Sequence, residues 1–242
     1  MKNFLYNILI SKIYKLLLQI NFKMQKFELK ESDKCLCLAP HPDDESIGTA
    51  GILLKYPDKF KVICLTDGQK GSETLSKEEI VKVRQEEFKN AMEYAKIKDW
   101  QMLNIPDKHI IDSYNIFKSL DISDYDYIFI PNILDQHQDH KAVSINLAKL
   151  IKEKKHKSNL KILMYEVWSS LPLPNRYIDI ADIKENKKEM INKHKSQVDA
   201  LDYTNKIVEL NSYRALQVFK QCIEAYMMID VSTLQKMIKW VK

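Results

Sequence analysis

The sequence CLCLAPHPDDE, residues 35–45, is a short apolar run that ends in a charged turn. The apolar run predicts a buried β-strand, and two prolines hold the turn that follows near a φ of about −65°. Neighbouring carboxylates repel one another unless a cation lies between them, so we interpret the turn as a metal site at the mouth of a strand. Its candidate side chains are one histidine and three acids, His41, Asp43, Asp44 and Glu45.

A pair of histidines follows a second apolar run. Residues 125–130 again predict a strand, and His137 and His140 in the sequence HQDH come shortly after it. Side chains at the carboxyl ends of parallel strands meet at one edge of a sheet, so this pair can supply the ligand that the first turn lacks. Two imidazoles with a carboxylate are typical of a zinc hydrolase, and Fe²⁺ suits the same ligands.

Strands and helices alternate along most of the chain. This order predicts an α/β fold, a Rossmann-like and mostly parallel sheet with helices on both faces in a single domain. Ser76 and Glu79 form a capping-box pattern at the start of one helix. The predicted strands are 34–39, 61–66, 100–103, 125–130, 161–167 and 177–180, and the predicted helices are 45–56, 77–96, 115–120, 140–153, 183–201 and 208–226.

The composition is that of one ordinary globular domain. The 242 residues are 45% apolar and 29% charged, which is enough apolar content for one sizeable core. The net charge of +5 comes from five lysines in residues 1–27, which contain no acid. The rest of the chain is therefore neutral, and we expect no nucleic-acid partner. The four cysteines show no CxxC spacing and predict reduced core residues in a cytoplasmic protein.

Residues 1–27 predict a separate element, a basic amphipathic helix ahead of a catalytic domain over residues 28–242. Apolar residues at positions 5, 9, 13, 16 and 20 share one helical face, and lysines interrupt any run long enough to span a bilayer. Such a helix binds anionic membrane surfaces, so residues 1–24 predict peripheral contact at the cytoplasmic face of a membrane. Packing of the helix on the domain or on a partner is the alternative, and Met24 is a second candidate start.

Four groups of residues together resemble the zinc-dependent N-acetylglucosaminyl deacetylases of the LmbE and PIG-L type. Looser similarity continues through residues 165–166 and 179–180 to 196–197, so the resemblance covers about residues 34–225 and excludes the N-terminal segment. The four groups are APHPDDE at 39–45, TDG at 66–68, Arg84 with Glu87 and Ala91, and HQDH at 137–140.

The resemblance implies zinc bound by His41, Asp44 and His140, with a coordination position left for water. Asp43 would take a proton from that water and return it to the leaving amine. His137 is our candidate for a donor to the oxyanion of the tetrahedral intermediate. Asp139 is a candidate for a carboxylate that orients a ligating histidine.

The resemblance also implies the substrate, an N-acetylated amino sugar of the N-acetylglucosamine type, from which hydrolysis of a linear amide bond removes acetate. Arg84 is a candidate contact to the sugar, with an ion-paired surface arginine as the alternative. Trp168 is a candidate platform for a sugar ring, with a core tryptophan as the alternative. We expect Glu45 to support the following helix, and we expect no role for His109, His156 and His194.

Two other functions fit the same residues. One is a metal-dependent hydrolase of another small amide or ester. The other is a catalytically silent module that binds sugars or nucleotides. The sequence indicates neither the aglycone of the sugar nor an oligomeric state.

Overall fold

The computed structural model describes residues 23–199 and 202–241. Residues 1–22 of the amphipathic helix predicted over 1–27 lie outside the described residues. The end of that predicted segment is described and is not helical, because Gln25 and Lys26 form a short strand and Met24 beside them is buried. Gln25 and Lys26 are thus part of the sheet. In the described ranges, no helix has the length and apolar content needed to cross a bilayer.

One sheet of eight strands runs through the described part of the chain: β1 Gln25–Lys26, β2 Cys35–Ala39, β3 Phe60–Thr66, β4 Asp99–Ile105, β5 Tyr127–Pro131, β6 Lys161–Tyr165, β7 Arg176–Asp179 and β8 Ile223–Asp230. The strand order is β1-β7-β8-β6-β5-β2-β3-β4. Five of the seven neighbouring pairs are parallel, and β8 runs antiparallel to both β6 and β7. The prediction of a mostly parallel α/β sheet is confirmed.

The α-helices of the same residues are α1 Asp44–Lys55, α2 Lys77–Tyr94, α3 Tyr114–Lys118, α4 Gln138–Glu153, α5 Lys184–Ile191, α6 Lys195–Val198, α7 Tyr203–Ala215 and α8 Val231–Val241. Alternate side chains of β2 enter different cores. Cys35 and Cys37 pack with residues of α1 and α2, whereas Leu36 and Leu38 pack with residues of α4 and α8. Helices therefore cover both faces of the sheet, as predicted.

The predicted helices near the C-terminus are partly wrong. The pattern over 183–201 is divided between a 3₁₀ turn, α5 and α6, and the pattern over 208–226 ends as a helix at Ala215. Phe219 then takes a left-handed φ of 55°, and β8 begins at Ile223. No glycine or proline marks this change, and residues 223–230 include Glu, Ala and Met, which favour helices. Burial between two strands overrides that local preference.

A buried ion pair connects α1, α5 and β8. The Lys187 ammonium donates to Glu224 Oε1 at 2.7 Å and to the carbonyl of Ile47 in α1 at 2.9 Å. Glu224 also accepts the backbone N–H groups of Gly51 at 2.7 Å and Ile52 at 3.1 Å. Both charged side chains are almost completely buried. This network fixes the position of α1, the helix that begins at Asp44.

Candidate active site

The two motifs of the sequence meet at one edge of the sheet. Strands β2 and β5 are parallel neighbours, so the turn after β2 and the loop after β5 leave the sheet side by side. The ring centroid of His41 lies 4.7 Å from that of His137 and 5.4 Å from that of His140. The three imidazoles each offer a ligand atom within 4.8 Å of the others. These residues can therefore approach a single metal ion.

Asp44 adds a carboxylate to this group. Its Oδ2 lies 3.1 Å from His41 Nδ1 and 3.2 Å from His140 Nε2. The same oxygen accepts the backbone N–H of His41 at 2.9 Å, which holds the carboxylate in the turn. Ligand atoms at the usual zinc distances of about 2.0–2.1 Å lie about 3.3 Å from one another in a tetrahedron. The spacing around Asp44 is close to that value.

His140 provides a further test of whether the residues fit a metal. Its ring is completely buried, and neither ring nitrogen makes a hydrogen bond. Carboxylate oxygens of Asp44 and Asp135 lie 3.2 and 3.4 Å away without the alignment that a hydrogen bond requires. Burying an imidazole without hydrogen bonds lowers the stability of the fold unless its lone pair binds something else. A metal ion bound at Nε2, with Nδ1 facing Asp135, would provide that partner.

The electrostatics of the cluster favour positive charge. Burial opposes protonation of His41, but its contacts with Asp139 and Asp44 outweigh burial and raise its pKa to about 9. Burial likewise opposes protonation of His140, yet Asp44 and Asp135 raise its pKa to about 10. Burial would raise the pKa of Asp44, but the two histidines hold it well below its usual range. A divalent cation supplies the positive charge that these carboxylates attract.

His137 is placed differently from the other two imidazoles. It caps the N-terminus of α4, and its Nδ1 accepts the backbone N–H of Asp139 at 3.2 Å. Burial and the neighbouring histidines lower its pKa, so the ring is neutral at physiological pH. A neutral imidazole that accepts at Nδ1 carries its proton at Nε2. His137 is therefore suited to donate a hydrogen bond through Nε2.

The carboxylates of Asp139 and Asp135 contact the rings of His41 and His140. Asp139 Oδ2 lies 3.2 Å from His41 Nε2, which leaves His41 Nδ1 on the side of Asp44. Asp135, which the sequence analysis missed, lies beside His140 and also accepts the backbone N–H of Trp168 at 3.0 Å. The available signal was an acid two positions before His137 in the same loop. Asp135 thus connects a candidate ligand with the loop that carries Trp168.

Asp43, the residue before Asp44, forms an ion pair with Arg84. Its backbone has a φ of 156° and a ψ of −25°, a combination that residues other than glycine rarely adopt. Arg84 Nη2 lies 3.1 Å from Asp43 Oδ2 and donates to the carbonyl of Pro42 at 2.8 Å. Burial raises the pKa of Asp43 to about 6, against the opposing effect of Arg84. The predicted surface alternative for Arg84 is wrong, because its side chain is buried against this turn.

Beneath the turn lies a group that the sequence analysis did not foresee. Glu45 is completely buried at the start of α1, and Ser46 Oγ donates to its Oε1 at 2.7 Å. His194, for which we expected no role, lies 2.9 Å from Ser46 Oγ and 3.2 Å from Glu45 Oε1 through its Nε2. His194 lies in the loop before α6, 148 positions from Ser46 in the sequence. It supports the first turn of α1.

A cleft of about 170 Å³ opens above these residues. Trp168 borders it with 55% of its surface exposed, so the core alternative for this residue is wrong. Its ring meets Tyr203 edge-on, with centroids 5.6 Å apart. Besides the turn and His137, the cleft is lined by Lys70, Gly71, Arg84, Asp107, Lys108 and Gln197.

Several known proteins are similar to parts of this chain. Residues 36–151 match the family model described as PIG-L, GlcNAc-PI de-N-acetylase. A Bacillus anthracis protein named "Probable N-acetyl-alpha-D-glucosaminyl L-malate deacetylase 2" is 33% identical over 88 residues, which cover 33% of this chain and 39% of that protein. The match thus spans about two fifths of that relative's length. Diacetylchitobiose deacetylase from Thermococcus kodakarensis is 26% identical over 208 residues, covering 75% of this chain and 76% of the relative.

Solved structures agree with the sequence matches at the level of the fold. N,N'-diacetylchitobiose deacetylase from Pyrococcus horikoshii has a TM-score of 0.70 at 20% identity and covers 94% of both chains. The family match includes both the turn at 39–45 and the histidine pair at 137–140. The chain thus matches the PIG-L (LmbE-like) family model over residues 36–151, the part that carries both motifs.

Proposed function

We propose that this protein is a metal-dependent deacetylase that hydrolyses the N-acetyl group of an amino sugar, an N-acetylglucosamine-type glycoconjugate. The observation that carries the proposal is the meeting of His41, Asp44 and His140 around one point, with the separate carboxylate of Asp43 beside it. The named relatives support the substrate class, since their names describe deacetylases of N-acetylated sugars.

We assign the metal to His41, Asp44 and His140, with zinc as the first candidate and Fe²⁺ as the second. The chemistry that a bound zinc ion supplies is Lewis acidity, both for the acetamide carbonyl and for water, whose pKa falls to about 7. We place His137 outside the ligand set because its Nδ1 already accepts the backbone N–H of Asp139. Asp139 and Asp135 keep the two ligating rings in position.

Asp43 serves as the general base and then as the general acid. A pKa of about 6 leaves it ionised at neutral pH and still able to hold a proton, as a proton shuttle requires. It accepts the proton of the attacking water and returns it to the amine as the C–N bond breaks. Arg84 holds Asp43 in place through their ion pair and its hydrogen bond to the carbonyl of Pro42.

His137 and the aromatic residues of the cleft complete the site. The Nε2–H of His137 donates to the acetamide oxygen as negative charge develops there. Trp168 and Tyr203 present aromatic surface on which the sugar ring can stack. Each of these roles uses a side chain that lines the cleft.

Metal removal tests the proposal. We expect one divalent ion per chain, acetate release from N-acetylglucosamine derivatives, loss of activity after chelation and recovery on reloading with Zn²⁺ or Fe²⁺. The assay compares free, nucleotide-linked and lipid-linked N-acetyl sugars with simple esters and amides. His140→Gln should lose both metal and activity, whereas His156→Gln, a histidine away from the cleft, should lose neither. Sugar binding that survives chelation without turnover would favour the silent binding module instead.

We also propose that the protein is cytoplasmic and contacts the membrane through residues 1–24. The four cysteines are free and buried, as suits a reducing compartment. In liposome flotation with anionic vesicles, the full chain should float and a chain that begins at Met24, which keeps β1, should not. Lys12→Glu with Lys15→Glu in the full chain should weaken flotation, because both positions belong to the cationic face. Equal flotation of both chains would contradict the membrane proposal.

A further inference from the structure

Two exposed lysines border the catalytic cleft without acidic partners. Lys70 lies in the loop after β3 and Lys108 in the loop after β4, and both line the cleft. Among residues 23–199 and 202–241, no carboxylate oxygen lies within 4.0 Å of either ammonium group. Both side chains are exposed, so their charges are available at the rim of the cleft.

Two acids next to these lysines accept hydrogen bonds from backbone groups. Asp107 accepts the N–H of Gly68 at 3.2 Å and the N–H of Lys70 at 2.8 Å. Asp139 accepts the N–H of Lys108 at 2.7 Å while it contacts His41. These bonds fix both loops next to the candidate metal ligands. They also hold the lysine backbones in place and leave the side chains free to meet a ligand.

Lys108 has a conformation that glycine adopts more readily. Its φ of 72° is in the left-handed region, where a Cβ atom is unfavourable. Among the described non-glycine residues with φ between 50° and 80°, it is the one that lines the cleft. A lysine at such a position retains a side chain at an energetic cost, and that side chain carries the charge at the rim.

We propose that Lys70 and Lys108 bind an anionic group, a phosphate or a carboxylate, on the aglycone of the substrate. The inference rests on the proposed deacetylase function, which places the acetamide at the histidines and Asp43. The lysines come from the next two loops along the sheet, so they meet a part of the substrate away from the acetamide. Lysine is a compact point charge on a flexible stem and suits either kind of anion.

The test compares two substrates in the full chain, N-acetylglucosamine 1-phosphate and the neutral methyl glycoside of N-acetylglucosamine. Lys108→Gly and Lys70→Gln should each raise KM for the phosphate by roughly 5-fold, and the double variant by about 10-fold or more. The KM for the methyl glycoside should stay within about 2-fold, since an uncharged substrate makes no ion pair. Added KCl should raise KM only for the phosphate with the unsubstituted enzyme.

Controls separate charge from folding. Glycine accepts the backbone of residue 108, so Lys108→Gly should keep its melting temperature, and Lys108→Arg should keep the low KM. Lys77→Gln, at an exposed lysine outside the cleft, should leave the KM of both substrates unchanged. The carboxymethyl glycoside of N-acetylglucosamine tests a carboxylate in the same way. The anion whose KM rises more in the lysine variants is the one that the lysines prefer.

The outcomes are distinguishable. Equal KM values for anionic and neutral substrates, or equal responses of both to the variants, would overturn this inference and leave the deacetylase proposal intact. Absence of acetate release from every N-acetyl sugar with the metal-loaded enzyme would overturn both.

Discussion

Replacing Asp43 by asparagine is expected to lower kcat for deacetylation by roughly 10²- to 10⁴-fold, the usual contribution of a general base. The amide keeps the size of the side chain and can still contact Arg84, but it cannot accept the proton of water. Because Asp43 is not among the candidate ligands, metal content measured by atomic absorption should remain at one ion per chain. Acetate release under saturating substrate gives kcat directly.

Two further variants make this expectation specific. Asp44→Asn should lose metal together with activity, since its Oδ2 lies close to both ligating histidines. Asp58→Asn, an acid paired with Lys98 on the outer surface, should change neither property. If Asp43→Asn lost its metal as well, Asp43 would be a ligand and the assignment of the base would be wrong.

Replacing Lys187 by methionine is expected to lower the free energy of unfolding by roughly 3–5 kcal/mol, because it leaves the buried Glu224 carboxylate without its counter-ion. A loss of that size corresponds to a fall in melting temperature of about 10 °C or more. Urea unfolding followed by circular dichroism measures it. The effect should extend to the site, since the same ammonium donates to Ile47 within α1.

The neighbouring lysine offers a matched control. Lys188 is on the same helix, and its partner Glu185 is exposed to water, so Lys188→Met should cost at most about 1 kcal/mol. Removing both charges, as Lys187→Met with Glu224→Gln, should cost less than Lys187→Met alone because no buried charge is then left unpaired. An equal cost for the single and the double variant would show that the loss comes from packing and not from the charge.

Sequence reasoning works where the signal is local. The strand at residues 35–39 and the turn after it follow from a short apolar run and two prolines, and the structure has them at those residues. The helix that follows Ser76 also begins where its capping box predicts, with both hydrogen bonds of the box present. In each case neighbours in the sequence decide the conformation.

Sequence reasoning fails where the decisive contacts are distant. β8 looks helical because its own residues favour a helix, and only β6 and β7 on either side make it a strand. His194 is 148 positions from Ser46 in sequence, and no spacing rule connects them. Asp135 was adjacent to a motif but matched no ligand pattern. Such residues become visible only when the sheet brings their elements together.

The place of β8 has a consequence for how the protein is made. This strand is synthesised after the other seven but inserts between β6 and β7, so β7 and β1 cannot join the sheet until about residue 230 has left the ribosome. Until then the nascent chain presents the unpaired edge of β6, an open template for pairing with another chain. The residues of the catalytic turn and the histidine loop emerge long before this moment. Completion of the sheet therefore waits for β8, the last of its described strands to be synthesised.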